Sequence, residues 1–193
     1  MKFRALFFAV VIISLSFIIN CSFVGSKKPI GEKVNLEPLE WDGLWVERKH
    51  TENFYFIKVM ENSVIKLLVV STENNKLESK SIKIFLTQYK NYYLANIQKK
   101  YFEDDSDDNN SKVFLWFLIK KGKNSINIFQ PNDDFFKHAI KKGILKGEIK
   151  RDLVLLKSNP SKILDIISKG KIFESFNKEE ILKLKRILDF NSN

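Results

Sequence analysis

The chain has 193 residues, with 33 basic against 23 acidic side chains and a formal net charge of +10. Its one cysteine excludes an internal disulfide and any multi-cysteine metal site, and its two histidines have no metal-ligand spacing. The basic residues are spread along the chain without an arginine-rich run, which argues against nucleic acid as a partner. The charge predicts only a weak, salt-sensitive attraction to anionic membrane surfaces.

Residues 1–20 have the pattern of an export signal. A short basic start, MKFR, precedes an apolar stretch at 5–19 that is shorter than the ~20 residues of a membrane-spanning helix. The tripeptide Ile-Ile-Asn before Cys21 lacks the small side chains of an ordinary signal-peptidase site. The residues alone leave open an uncleaved signal anchor with Cys21 as an incidental cysteine.

The same residues resemble a bacterial lipoprotein signal, in which the cysteine after the apolar run becomes the mature N-terminus. Asn20 stands where glycine or alanine is usual and Ile18 where leucine is usual, which is similar to the loose lipoboxes of spirochaetes. The resemblance implies a signal peptide at 1–20 and a thioether-linked lipid, with acyl chains such as palmitate, on Cys21. It also implies a membrane-anchored protein of the cell envelope on the non-cytoplasmic side, in either the inner or the outer membrane.

Residues 21–40 are predicted to be a flexible tether between this anchor and a folded domain. The segment contains two glycines and two prolines and has no sustained helix or strand period. A single β-rich domain is predicted from 41 to 193.

From Trp41 to Gln98 the chain is dense in aromatic and β-branched residues, which is the signature of strands. Short polar turns separate the apolar stretches, so we expect an antiparallel meander. The predicted strands are 43–49, 53–60, 63–72, 79–88 and 92–98.

The stretch 111–121 is apolar at both alternating positions. We therefore expect the barrel core on one side of this strand and a covering helix on the other. A turn leads into a partner strand at 125–130, and a further strand is predicted at 151–157.

Two short helices are predicted at about 131–142 and 159–169. Asn132 is the expected N-cap of the first, with acidic residues in its first turn and lysines in its last. Ser158 or Asn159 caps the second, which has Pro160 near its first position. The tail at 177–188 combines a capping-box pattern with strand-like alternation, so both helix and strand stay open.

The order of these parts resembles a family of small bacterial lipoproteins of unknown function with a lipocalin-like β domain. The resemblance lies in the opening Trp41-Asp-Gly-Leu-Trp45, the meander, the block at 114–149 and the helix at 158–170, and it places 182–187 in the last strand. It implies a mainly β fold, an antiparallel meander curled into a barrel or half-barrel with two flanking helices. These motifs are structural and carry no catalytic chemistry.

The chain shows no constellation that predicts catalysis, a metal or a cofactor. The acidic run at 101–111 lacks the glycine and glutamate that an EF-hand loop requires, so a solvated hairpin tip is expected there. The barrel interior is predicted either to be filled as an ordinary core or to hold a cavity for an apolar ligand. The aromatic residues expected to line such a cavity are Trp45, Phe54, Phe56, Tyr93 and Phe117.

We therefore expect a non-enzymatic binding or interaction module, attached to membrane lipid through Cys21. The alternative is a structural or assembly lipoprotein that contacts another envelope protein, with an enzyme as a third hypothesis.

Overall fold

The computed structural model describes residues 22–49, 52–61, 64–73, 76–102, 112–170 and 172–188. The predicted signal, Cys21 and most of the acidic run lie outside these ranges. In the part of the chain that is described, no helix combines the length and the apolar character needed to span a membrane.

Within these ranges the chain forms eleven strands, four short α-helices and one 3-10 turn. The strands are β1 (Phe23–Ser26), β2 (Gly43–Glu47), β3 (Phe54–Met60), β4 (Val64–Glu73), β5 (Lys76–Tyr89), β6 (Tyr92–Gln98), β7 (Phe114–Lys121), β8 (Ser125–Pro131), β9 (Gly147–Ile149), β10 (Leu153–Leu156) and β11 (Phe176–Leu188). The helices are α1 (Pro38–Trp41), α2 (Asp133–Lys141), α3 (Pro160–Lys169) and α4 (Ile172–Ser175), and the 3-10 turn is Lys99–Tyr101.

Eight of the strands form a closed antiparallel barrel, as the sequence predicts. Strands β2 to β8 follow one another as an up-and-down meander, and β11 pairs with both β8 and β2 to close the ring. Helices α2 and α3 and the short strands β9 and β10 are inserted between the last two barrel strands.

Two hydrophobic cores share strand β7, which explains why both of its faces are apolar. Leu115, Phe117 and Ile119 face the barrel core, whereas Trp116 and Leu118 face a second core under the helices. The Trp116 ring meets Phe136 of α2 edge-on at 5.7 Å, and its indole N–H donates to Ser26 Oγ at 3.0 Å. The predicted covering helix is confirmed.

The helix ends follow the capping pattern of the sequence. Asn132 Oδ1 accepts the backbone N–H of Phe135 at 3.3 Å, and α2 begins at the residue after Asn132. Asn159 Oδ1 accepts the N–H of Ser161 at 3.1 Å, and Pro160 occupies the first turn of α3. Both predicted helices are confirmed.

The ambiguous tail is a strand. Leu184 is buried in the barrel core and pairs with Glu47 of β2 and Ile126 of β8. The register of β11 against β8 shifts between Phe176 and Leu182, which interrupts the alternation that a regular strand would show. Because this segment pairs with both β2 and β8, it is a strand, although its local sequence pattern fits a helix equally well.

The N-terminal segment differs from the flexible tether predicted for 21–40, because it packs on the domain from Ser22 onward. Strand β1 is parallel to β10 and antiparallel to the first part of β7, with Val24 fully buried. Ile30 is also fully buried and is held at its backbone by a side chain of β6: its N–H donates to Asn96 Oδ1 at 2.8 Å. The barrel supplies these partners, so glycines and prolines nearby do not make the segment flexible.

Candidate functional site

One end of the barrel is closed by α1 and two tryptophans. Trp41 and Trp45 are buried, and the Trp45 indole N–H donates to the Trp41 carbonyl at 3.2 Å. The Arg186 guanidinium of β11 lies 4.7 Å from the centre of the Trp45 ring and donates to the carbonyls of Leu39 and Glu40 in α1. These contacts join β2 and β11, the first and last strands of the barrel, through α1.

Gly43 explains the spacing of the opening motif. Its φ is +150°, and an added Cβ would lie 2.4 Å from the carbonyl oxygen of Leu188. Only glycine lets β11 pass this closely at the start of β2. The glycine between Trp41 and Trp45 is therefore required by barrel closure.

A lysine completes the closed end. Lys121 Nζ lies 5.5 Å from the centre of the Trp41 ring and 5.9 Å from that of Trp45. Burial lowers the pKa of Lys121, the nearby Arg186 charge lowers it further, and Glu40 opposes both effects. Lys121 and Arg186 are thus both partly buried, and both lie over the ring of Trp45.

Toward the other end the barrel contains an apolar cavity of about 90 Å³ that is partly open to its surroundings. Aliphatic and aromatic side chains line it, and the Tyr55 hydroxyl is the polar group among them. The lining residues are Tyr55, Leu67, Val69, Ile82, Ile84, Ala95, Ile97, Phe102, Phe117, Ile119, Ile128, Ile181 and Leu182.

The five aromatic residues predicted for this cavity are divided among three places. Phe117 lines it. Trp45 lies at the closed end, and Tyr93 packs edge-on against Trp41 at 5.1 Å, so both belong to the barrel core without lining the cavity. Burial, followed by the charge of Glu40, raises the pKa of Tyr93.

The prediction for Phe54 and Phe56 is wrong, because β3 has the opposite phase. Tyr55 and Ile57 are buried in the barrel, whereas Phe54 is 37% exposed on the outer face. Both alternating sets of β3 are apolar, so period-two reasoning alone does not choose between them. The register supplies the missing signal: Tyr55 pairs directly with Trp45, and paired residues point to the same face of a sheet.

A polar cluster lies where Tyr55 reaches beyond the apolar wall. The Tyr55 hydroxyl and the Asn53 side-chain amide each donate to Glu47 Oε2 at 3.3 Å. Glu47 and Asn53 are buried at 4% and 5% exposure. The cavity lining is thus apolar, and its Tyr55 bonds to a buried carboxylate that is not itself part of the lining.

Phe102 connects this cavity to the N-terminal segment. Its ring centre is 6.1 Å from that of Phe117 inside the barrel and 6.0 Å from that of Phe23 in β1. Phe23 is two residues from Cys21, so the predicted acylation point lies close in sequence to the wall of the cavity.

No group of three or more histidine, cysteine, aspartate or glutamate side chains that could hold a metal ion occurs within the described ranges. His138 is exposed on α2. Most of the acidic run, with His50, lies outside those ranges.

In comparisons with protein-family models, curated proteins and solved structures, nothing matches this chain significantly.

Proposed function

We propose that this chain is a membrane-anchored lipoprotein of the bacterial cell envelope, attached through acylated Cys21, whose barrel is a non-enzymatic binding module for the end of an alkyl or acyl chain. The observation that carries the binding proposal is the apolar cavity of about 90 Å³ lined by the barrel core. The anchor is supported by the leader sequence and by the single cysteine at its end.

An empty cavity of this size is costly. At ~24 cal/mol per Å³ of void, it would lower the stability of the fold by about 2 kcal/mol. Ala95 lies in its wall at 1% exposure, between large residues of the neighbouring strands, Leu86 and Phe117. A larger side chain at that position would fill the space, so the small residue preserves room for a ligand.

The volume of the cavity limits the size of the ligand. Since a water molecule occupies ~30 Å³ of liquid and a ~150 Å³ cavity accepts a benzene, this one has room for a few methylene-sized groups. A whole lipid does not fit, but the terminal carbons of a chain do. The Glu47 carboxylate beside Tyr55 disfavours a negatively charged group at that side of the cavity. The proposed ligand therefore enters tail first.

Filling the cavity tests this proposal. Ala95→Leu is expected to abolish co-purification of an alkyl-chain ligand and to leave the free energy of unfolding unchanged or raise it by up to about 2 kcal/mol, because the new side chain replaces the void. The measurement is mass spectrometry of an organic extract of the protein purified from its own cells, together with chemical denaturation.

The matched control is Leu94→Ile, which alters the adjacent residue on the outer face of β6. It should retain as much ligand as the unmodified protein. Equal amounts of the same compound in Ala95→Leu and Leu94→Ile would contradict a ligand site in the cavity.

A second candidate is contact with another envelope protein. It is favoured by the outer face of β3 and β4, where Phe54 pairs with Val70 and Phe56 with Leu68 at partly exposed positions. Apolar side chains in adjacent rows of an uncovered sheet face are typical of protein interfaces.

A further inference from the structure

Strands β1, β10 and β9 pair in that order at one edge of the sheet, and they carry a concentration of positive charge, here called the basic edge. It consists of six exposed side chains at both ends of these strands: Lys27, Lys28, Lys146, Lys150, Arg151 and Lys157. Two exposed carboxylates lie among them: Glu148, which forms an ion pair with Lys157, and Asp152 beside Arg151. The hydrogen bond and charge of Lys157, followed by the charges of Lys150 and Lys27, lower the pKa of Glu148.

A cleft of about 580 Å³ opens at the end of the sheet where β1 and β10 stop. Lys27, Lys28 and Lys157 line it together with Ser26 and Ser158, and none of the described residues in its wall is acidic. Lys157 is paired with Glu148, and Lys27 and Lys28 add two further positive charges to the wall, so the cleft favours an anion with several oxygen atoms.

The opposite end of the same sheet adjoins the predicted anchor. Ser22 N–H donates to buried Asp133 Oδ2 at 3.0 Å, and Phe23 N–H donates to the Asp152 carbonyl at 2.8 Å. Ser22 Oγ also donates to the carbonyl of Arg151 at 3.3 Å. Ser22, the residue that follows Cys21 in the sequence, is therefore held beside the turn that carries Lys150 and Arg151.

The length of β1 determines how far the cleft is from the anchor. At ~3.3 Å per residue, Lys27 lies within about 20 Å of Cys21 along an extended chain. The edge strand β9 lies on the far side of β10 and leaves Ile149 42% exposed next to Lys150. An exposed apolar side chain beside a cation is suited to the boundary between lipid headgroups and acyl chains.

We propose that the basic edge lies against the membrane that holds Cys21, and that the cleft between Lys27, Lys28 and Lys157 binds the phosphate of an anionic lipid headgroup. The inference rests on the proposed acylation of Cys21, because the anchor holds the cleft at a high local concentration of headgroups. Each lysine near such a surface adds to the attraction, and salt weakens it.

The test measures lysine reactivity in the acylated protein, purified from its own cells and reconstituted into vesicles. An amine-acetylating ester is applied in neutral phosphatidylcholine vesicles and in vesicles that also contain phosphatidylglycerol, and each lysine is quantified by mass spectrometry. Lys27, Lys28 and Lys157 should react about fivefold more slowly in the anionic vesicles. Lys66 and Lys83, exposed partners on β4 and β5, are the controls and should not change.

Two results would overturn the proposal: equal reactivity of the three cleft lysines in both vesicle types, or equal protection from inorganic phosphate in neutral vesicles, which would identify a site for a small anion. The mass of the Cys21 peptide from the same sample reports the anchor separately. An acylated chain with unprotected lysines contradicts the docking alone, whereas a chain without acyl groups contradicts the proposed function.

Discussion

Asn96→Ala is expected to lower the free energy of unfolding by about 2 to 3 kcal/mol and to expose the N-terminal segment to protease. Asn96 is fully buried, and its Oδ1 accepts the Ile30 N–H while its amide donates to the carbonyls of Ile30, Phe85 and Leu94 at 3.3 to 3.4 Å. Alanine leaves the buried Ile30 N–H without this acceptor, and an unpaired buried group costs ~1–3 kcal/mol in addition to the lost contacts.

Chemical denaturation measures the first effect, and limited trypsin digestion, followed by mass spectrometry, measures cleavage after Lys27 and Lys33. Thr87→Val is the graded control, because it removes the 2.8 Å bond from Thr87 Oγ1 to the Ile30 carbonyl and the 3.4 Å contact with the Leu94 carbonyl, and keeps Asn96 in place. It should cost about 1 kcal/mol and change cleavage little. Asn96→Ala with cleavage as slow as in the unmodified protein would mean that this side chain does not hold the segment.

Trp45→Ala is expected to have the largest effect, a loss of about 3 to 5 kcal/mol in the free energy of unfolding. The ring is fully buried and is contacted by Arg186 from the last barrel strand, while its N–H binds Trp41 of α1. Removing it opens a large void at the closed end and leaves the cation of Arg186 without its aromatic partner. The substitution therefore weakens the contacts by which α1 and β11 close the barrel.

Trp45→Phe separates the two contributions. Phenylalanine retains most of the buried ring and its contact with the guanidinium but cannot donate to the Trp41 carbonyl, so a loss of about 1 to 2 kcal/mol is expected. Denaturation midpoints of the two variants give the comparison. Equal losses in both would show that the hydrogen bond, and not ring packing, holds this end together.

The barrel was predictable because its signals are local. Strands separated by short turns can only pair with their neighbours, and the two apolar faces of β7 require two cores. The helix caps at Asn132 and Asn159 are equally local, since each side chain bonds within three residues. For such elements sequence pattern and tertiary structure agree.

The features that were not predictable depend on distant partners. Strand β1 has four residues, and its register is set by Leu153 to Leu156, far along the chain. The phase of β3 depends on the pairing of Tyr55 with Trp45, because both of its faces are apolar. Ala95 illustrates the same limit for the cavity: a small residue among large ones gains meaning only when β5 and β7 are placed beside it.

We propose that Cys21 carries the lipid that holds this barrel on its membrane. Mass spectrometry of the N-terminal peptide, from protein extracted from its own cells, tests it most directly. We predict a mature chain that starts at Cys21 with the added mass of diacylglycerol. An unmodified chain that starts at Met1 would contradict the anchor and, with it, the docking of the basic edge.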